Sequence, residues 1–241
     1  MFDLSIDGAV ARLRLDRPEA RNAVPAQAWA LLAHRCGEAV RSGARLLVVS
    51  GAGGAFCAGA DLEDFLAFSG DPRSVTAFRL MMRSGLDALR DVPLATVAEI
   101  QGPCYGAGVA LAMACDLRVA GPDARFAITP AKLGISYPQE DVARLVALVG
   151  PGQAARLLLG GGTIDSAEAV RIGLAELAAA DSSELVEAIL ANSAESVAVL
   201  KRAIRLAGDG KARDDDQDRR FDALFGSAEF RERLAALRPR R

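Results

Sequence analysis

Apolar and polar residues alternate through Leu4-Ser5-Ile6 and again through Val10-Ala11-Arg12-Leu13-Arg14-Leu15. That period of two predicts paired half-buried strands around a turn at Asp7-Gly8. A loop from Asp16 to Ala23 leads to a predicted helix from about Pro25 to Arg41. Arg45 to Ser50, with Leu-Leu-Val-Val at its centre, reads as a buried strand. It runs into Gly51-Ala-Gly-Gly-Ala-Phe-Cys-Ala-Gly-Ala-Asp61. From Asp61 the pattern predicts a short helix and then a longer one across Ser74 to Arg90. Leu94 to Ile100 is a second buried strand, followed by a turn at Gly102-Pro103 and a glycine-rich start to the apolar helix that ends before Asp116.

Asp116 to Ala120 and Ala124 to Ile128 read as short strands, and Pro130 to Gly134 as a turn of helix. Ile135-Ser-Tyr-Pro-Gln-Glu-Asp141 is a polar insert in apolar surroundings. Helical periodicity then dominates: Val142 to Val149, Gly152 to Leu159, Ser166 to Gly173, Ser182 to Leu190 and Ser193 to Ala207. The composition shifts at Gly208 to Arg220, a charged stretch that reads as a solvated connection. Amphipathic segments near Phe221 to Phe225 and Ala228 to Leu237 need something to cover their apolar faces. Strands alternating with helices and then helices alone predict an α/β core, residues 1–192, and a helical C-terminal region, residues 193–241.

The chain has 241 residues, 51% of them apolar, and a formal net charge of −2, so it can bury a sizeable core. That charge balance points to neither nucleic acid nor an anionic membrane as partner. The first residues, Met1 to Asp7, lack the basic segment and long apolar run of a secretion signal. No uncharged apolar run reaches the roughly 18 residues of a spanning helix. The expectation is a soluble, cytoplasmic protein. Cys36, Cys57, Cys104 and Cys115 show no metal or disulfide spacing and read as buried thiols. His34, the one histidine, lies in a helical pattern with no nucleophile motif beside it, which removes histidine-dependent triads.

Two glycine stretches carry the candidate chemistry. Gly106 and Gly108 bracket Ala107 at a helix start, where backbone can approach a ligand closely. The first N–H groups of a helix lack internal partners and carry the positive end of its dipole. A ligand oxygen gaining negative charge would be held there, although the same glycines also suit tight packing of a helix on a sheet. The upstream stretch fails as a dinucleotide fingerprint because Phe56 stands where a third glycine is needed, and no phosphate-binding G-x-x-x-x-G-K-[ST] is present.

Leu47 to Leu62 and Gln101 to Asp116 together resemble the enoyl-CoA hydratase/isomerase (crotonase) family. Arg14 to Ala23 is similar to that family's first CoA-side loop, and Thr163 to Leu174 to its downstream helix signature. The resemblance implies a core of repeated ββα units with a helical C-terminal region, assembled as a homotrimer or dimer of trimers. It implies an acyl-CoA thioester as substrate and no separate cofactor or metal. The two oxyanion donors would be the backbone N–H groups of Ala60 and Ala107. Ala58 would lie near the adenine and Arg21 near the CoA phosphates, with Asp61 and Gly106 flanking the donors. Arg21 reads equally as an ordinary surface arginine, and Asp61 as the cap of a short helix.

The sequence departs from the family pattern where hydratases carry two glutamates. Those positions fall on Ala110 and Ala131, and alanine can neither take a proton nor orient a water. Glu140 and Asp141 lie in the following loop, where some isomerases of the family place a single base. One carboxylate suffices to move a proton between C2 and C4 of a 3-enoyl thioester, and burial against an apolar acyl pocket would raise its pKa toward neutral, as such a base needs. Pro138-Gln-Glu-Asp also suits the first turn of the Val142 helix. Tyr137 reads as a hydrogen-bond donor or as packing. Isomerase-type proton transfer with Glu140 as base is the favoured expectation. An acyl-CoA-binding protein with little catalysis, or a hydratase with a non-standard acid–base group, is the competing one.

Overall fold

The computed structural model describes residues 1–68 and 70–237. Strands β1 (Phe2–Asp7) and β2 (Val10–Leu15) form an antiparallel hairpin, and the chain then crosses through helix α1 (Ala28–Arg41) to β3 (Leu46–Gly51). Two helices follow, α2 (Leu62–Phe68) and α3 (Pro72–Asp91), the second capped by the Asp71 carboxylate on the Arg73 N–H. Next come β4 (Ala95–Ile100), β5 (Pro103–Tyr105), α4 (Ala107–Ala114), β6 (Leu117–Ala120) and β7 (Arg125–Ala127). After a 3-10 turn at Pro130–Leu133 the chain forms α5 (Gln139–Gly160), β8 (Ile164–Asp165), α6 (Ser166–Arg171), β9 (Leu177–Ala178) and α7 (Ser183–Leu190). The C-terminal helices are α8 (Ala194–Gly208), α9 (Asp215–Phe225) and α10 (Ala228–Ala236).

A six-stranded sheet runs β1-β2-β3-β4-β6-β9, and a three-stranded sheet runs β5-β7-β8. Apart from the β1–β2 hairpin the large sheet is parallel. Parallel strands buried on both faces read as continuous apolar runs, and β3 shows where each face goes. Leu47 and Val49 join the main core with Trp29 and Leu32 of α1 and Leu86 and Leu89 of α3. Leu46 and Val48 join a smaller cluster on the other face with Val97, Val119 and Val186 of α7. Helix α4 is buried from Gly108 to Ala114, which explains a sequence apolar on every side.

Two elements differ from the sequence reading, and a third agrees with it. The turn expected at Gly102-Pro103 contains strand β5, paired in parallel with β7 through Cys104 and Phe126. The two helices expected between Val142 and Leu159 are present as the two arms of α5, separated by a kink at Gly150 (φ 74°, ψ 162°). The charged connection ends early, because α9 begins at Asp215 with the Asp214 side chain accepting from the Gln217 N–H. By length and hydropathy α5 also matches a membrane span; it carries Arg144 and Arg156 and buries Leu145, Val149, Ala154 and Leu157. Helix α8 is tied to the large sheet by Lys201, whose buried ammonium donates to the Leu94 carbonyl at 2.8 Å and pairs with Asp116 at 2.9 Å.

Candidate active site

Strand β5 stitches the two glycine stretches together. Cys57 bridges Cys104 in parallel. Phe56 and Cys57 both donate to the Pro103 carbonyl at 3.0 Å, and Tyr105 donates back to the Cys57 carbonyl at 2.8 Å. The segment beyond Cys57 therefore lies beside the segment beyond Tyr105. Gly108 completes the contact, since a Cβ there would overlap the Cys57 carbonyl oxygen.

Ala60 and Ala107 sit on these adjoining segments. Ala60 forms a parallel bridge with Val24, made by the Val24 N–H on the Gly59 carbonyl at 2.8 Å and the Asp61 N–H on the Val24 carbonyl at 3.1 Å. In that register the residue between the two bonds turns its own N–H away from the partner strand. Ala107 is the first residue of α4, so its N–H has no partner within the helix. Among the described residues no acceptor takes either N–H. Gly106, at φ 51° and ψ −117°, adopts a backbone conformation that side-chain-bearing residues avoid, and so turns β5 abruptly into α4.

The other predicted residues lie around this pair. The Ala58 N–H donates to the Arg21 carbonyl at 2.9 Å, so the two residues assigned to the CoA side are neighbours. Arg21 is exposed and, like Asn22, has a positive φ. Buried Asn22 holds this loop by donating to the carbonyls of Ala52 at 2.8 Å and Ala55 at 2.7 Å. Asp61 accepts a hydrogen bond from Arg17 and, at 3.0 Å, from the Glu63 N–H at the start of α2. Those bonds, Arg17 first, hold its carboxyl below the usual aspartate range.

The sequence profile of the enoyl-CoA hydratase/isomerase family matches residues 5–225. The chain belongs to that family. A probable enoyl-CoA hydratase (echA6) of Mycobacterium tuberculosis is 37% identical over 176 residues, covering 73% of this chain and 69% of the relative. A second probable enoyl-CoA hydratase of that organism, echA14, is 40% identical over 179 residues, covering 74% and 69%. The crystal structure of an enoyl-CoA hydratase/isomerase family protein from Hyphomonas neptunium superposes with a TM-score of 0.91 at 34% identity, covering 98% of this chain and 93% of that one. The crotonase fold expected from the sequence is therefore the fold present.

The two positions that the sequence aligns with hydratase glutamates carry alanine. Ala110 is fully buried in α4, and Ala131 is exposed in the 3-10 turn. The two carboxylates of the following segment separate sharply. Glu140 is exposed on the first turn of α5, so in the isolated chain it lacks the burial expected of a base. Asp141 is fully buried and accepts from Arg83 Nη1 of α3 at 2.9 Å, with Arg144 Nη1 at 3.7 Å. Burial outweighs these two arginines and raises the Asp141 carboxyl above the usual range. The sequence favours Glu140 over Asp141 as base and gives no sign of Arg83. Tyr137 is the other residue whose place was not evident. Its hydroxyl donates to the Gly106 carbonyl at 2.9 Å.

Proposed function

We propose that the protein is an acyl-CoA enzyme that holds the thioester oxygen between the backbone N–H groups of Ala60 and Ala107. One observation carries this reading: two unpaired backbone donors lie on segments stitched together by the Cys57–Cys104 bridge. When a thioester becomes an enolate, charge moves onto its oxygen, and fixed donors aimed there stabilise the charge without reorganising. Only the peptide N–H acts, which is why small residues suffice at 59, 60, 106, 107 and 108. The CoA moiety would pass Ala58 and Arg21, on the exposed loop that begins at Arg17. The substrate brings its own CoA, and no further cofactor enters the proposal.

Hydration needs carboxylates to activate water, and Ala110 and Ala131 supply none. Isomerase-type proton transfer needs one base, and Glu140, on the first turn of α5, would supply it. The exposed position of Glu140 favours a second reading, acyl-CoA binding without turnover. Assembly as a trimer would cover apolar surface that α8 to α10 leave exposed at Leu200, Ile204, Phe221, Phe225 and Leu237.

The test is NMR in D₂O with 3-hexenoyl-CoA and crotonyl-CoA, on wild type and Glu140→Gln. Deuterium entering C2 or C4 and lost in the variant supports an enolate-forming isomerase with Glu140 as base. Deuterium retained in the variant discards that base. Water added across crotonyl-CoA overturns the reading of Ala110 and Ala131. Binding without exchange or product supports the second reading.

A further inference from the structure

The peptide joining Gly106 to Ala107 is engaged from its carbonyl side. In a trans peptide the C=O and N–H point in opposite directions, so what holds the Gly106 oxygen also aims the Ala107 hydrogen. That oxygen accepts from the N–H groups of Val109 at 3.0 Å and Ala110 at 3.3 Å, as a helix start requires. It also accepts from the Tyr137 hydroxyl at 2.9 Å, a group 31 residues away in sequence. Gly106 has the backbone freedom of a residue without a Cβ, and nothing lies within 4 Å of where that Cβ would be. The helix bonds hold this peptide from within α4, and the tyrosine adds a restraint from outside it.

Tyr137 is itself held firmly. It packs against the main core, and the next residue, Pro138, begins α5 by accepting from the Asp141 and Val142 N–H groups at 3.0 Å. That first turn is fixed to α3 by the buried Asp141–Arg83 pair. Burial pushes the Tyr137 phenol well above its ordinary range, so it stays protonated and can only donate when it meets a carbonyl.

We propose that Tyr137 is a positioning residue of the oxyanion hole: its hydroxyl fixes and polarises the Gly106–Ala107 peptide so that the Ala107 N–H is aimed at the thioester oxygen. Hydrogen bonds in series polarise one another, so donation to the carbonyl strengthens the N–H at the other end of the same peptide. This inference rests on the reading that a thioester oxygen lies between Ala60 and Ala107.

The test uses 4-dimethylaminocinnamoyl-CoA, whose absorbance moves to longer wavelength when its thioester carbonyl is polarised. Wild type, Tyr137→Phe and a protein carrying 3-fluorotyrosine at 137 are titrated with it, after thermal melts establish that each is folded. The expected result is a red shift with wild type and a shift cut by half or more with Tyr137→Phe, at a dissociation constant within about twofold. The fluorinated residue keeps the ring's shape and donates more strongly, so its shift should exceed that of wild type. Equal shifts in wild type and the folded variants overturn the role of Tyr137. If Tyr137→Phe does not fold, the fluorinated protein decides, and a shift no larger than wild type overturns the proposal. Wild type that fails to bind the probe, or binds it unshifted, overturns the thioester reading itself and this inference with it.

Discussion

Gly59 lies against the start of α4 so closely that a Cβ on it would stand 3.0 Å from the Tyr105 carbonyl oxygen and 3.5 Å from the Ala107 nitrogen. The residue that precedes one proposed donor thus touches the backbone of the other. Its φ of 112° is also open only to glycine. Gly59→Ala should therefore strain the backbone by about 1–3 kcal/mol and push the two N–H groups apart. Loss of one donor corresponds to about 2.7–4 kcal/mol of transition-state stabilisation. The expected outcome is a folded protein with a slightly lower melting temperature and a kcat reduced about 100-fold or more. Unchanged kcat in a folded variant would show that this contact does not set the hole.

The buried Asp141 carboxylate should matter more to stability than any surface charge. Its Arg83 partner is itself only 13% exposed. Removing Asp141 leaves Arg83 and Arg144, both mostly buried, sharing Asp87 as their remaining partner, at a cost of up to about 3–5 kcal/mol. Urea unfolding of Asp141→Ala should show that loss. The double variant Asp141→Leu, Arg83→Met should recover most of it, because an apolar pair of similar size carries no stranded charge. A loss under about 1 kcal/mol for the single variant would mean that water reaches the pair.

What was legible in the sequence is what its local pattern controls. The runs in β3 and β4 announce buried strands, and Gly-Ala-Gly-Val announces a helix start with free backbone donors. Strand β5 was not legible because three residues between turns become a strand only by pairing with β7 and Cys57. The roles of Asp141 and Tyr137 depend on Arg83, 58 residues away, and Gly106, 31 residues away, and no periodicity encodes either meeting. Gly150-Pro151 announces a helix break, and the backbone at Gly150 leaves helical geometry there. The exposure of Glu140 beside a buried Asp141 also escapes the sequence, since both suit a first helical turn equally.

The four cysteines should be chemically silent in the native state. All are free and buried. Desolvation of the thiolate pushes Cys36 up to about 11, Cys57 and Cys115 to about 12, and Cys104 well above its ordinary value. The thiolate is the reactive form, so native protein at pH 8 should release no thionitrobenzoate from Ellman's reagent over the minutes in which guanidinium-unfolded protein reacts completely. A rapid equivalent from native protein would show that one of these thiols opens to solvent.

Arg17 and Asp61 join the loop 16–23 to the segment carrying Ala60, and their pairing gives a pH signature with a definite sign. Arg17 also donates to the Ala23 carbonyl at 3.2 Å, and its own N–H to Asn22 Oδ1 at 2.9 Å. Asp61 thus anchors a loop that is already folded on itself. The Arg17 hydrogen bond, with a smaller contribution from the Glu63 N–H, places the folded-state pKa of Asp61 below its ordinary 3.8. The folded protein consequently binds this proton less readily than the unfolded chain. The stabilisation is fully present above the ordinary value and is lost as pH falls from there through the depressed one. Arg17 and Asp61 are 29% and 13% exposed, so solvent screening limits the contribution to about 1 kcal/mol or less. Urea unfolding should find Asp61→Asn less stable than wild type at pH 7, with the gap closing below pH 4. The carboxyl titration of Asp61, followed by NMR, should also move upward in Arg17→Ala while remaining below its ordinary value, because the Glu63 N–H still donates. A gap that widens on acidification, or a titration unmoved by Arg17→Ala, would mean that Arg17 does not set the charge state of Asp61.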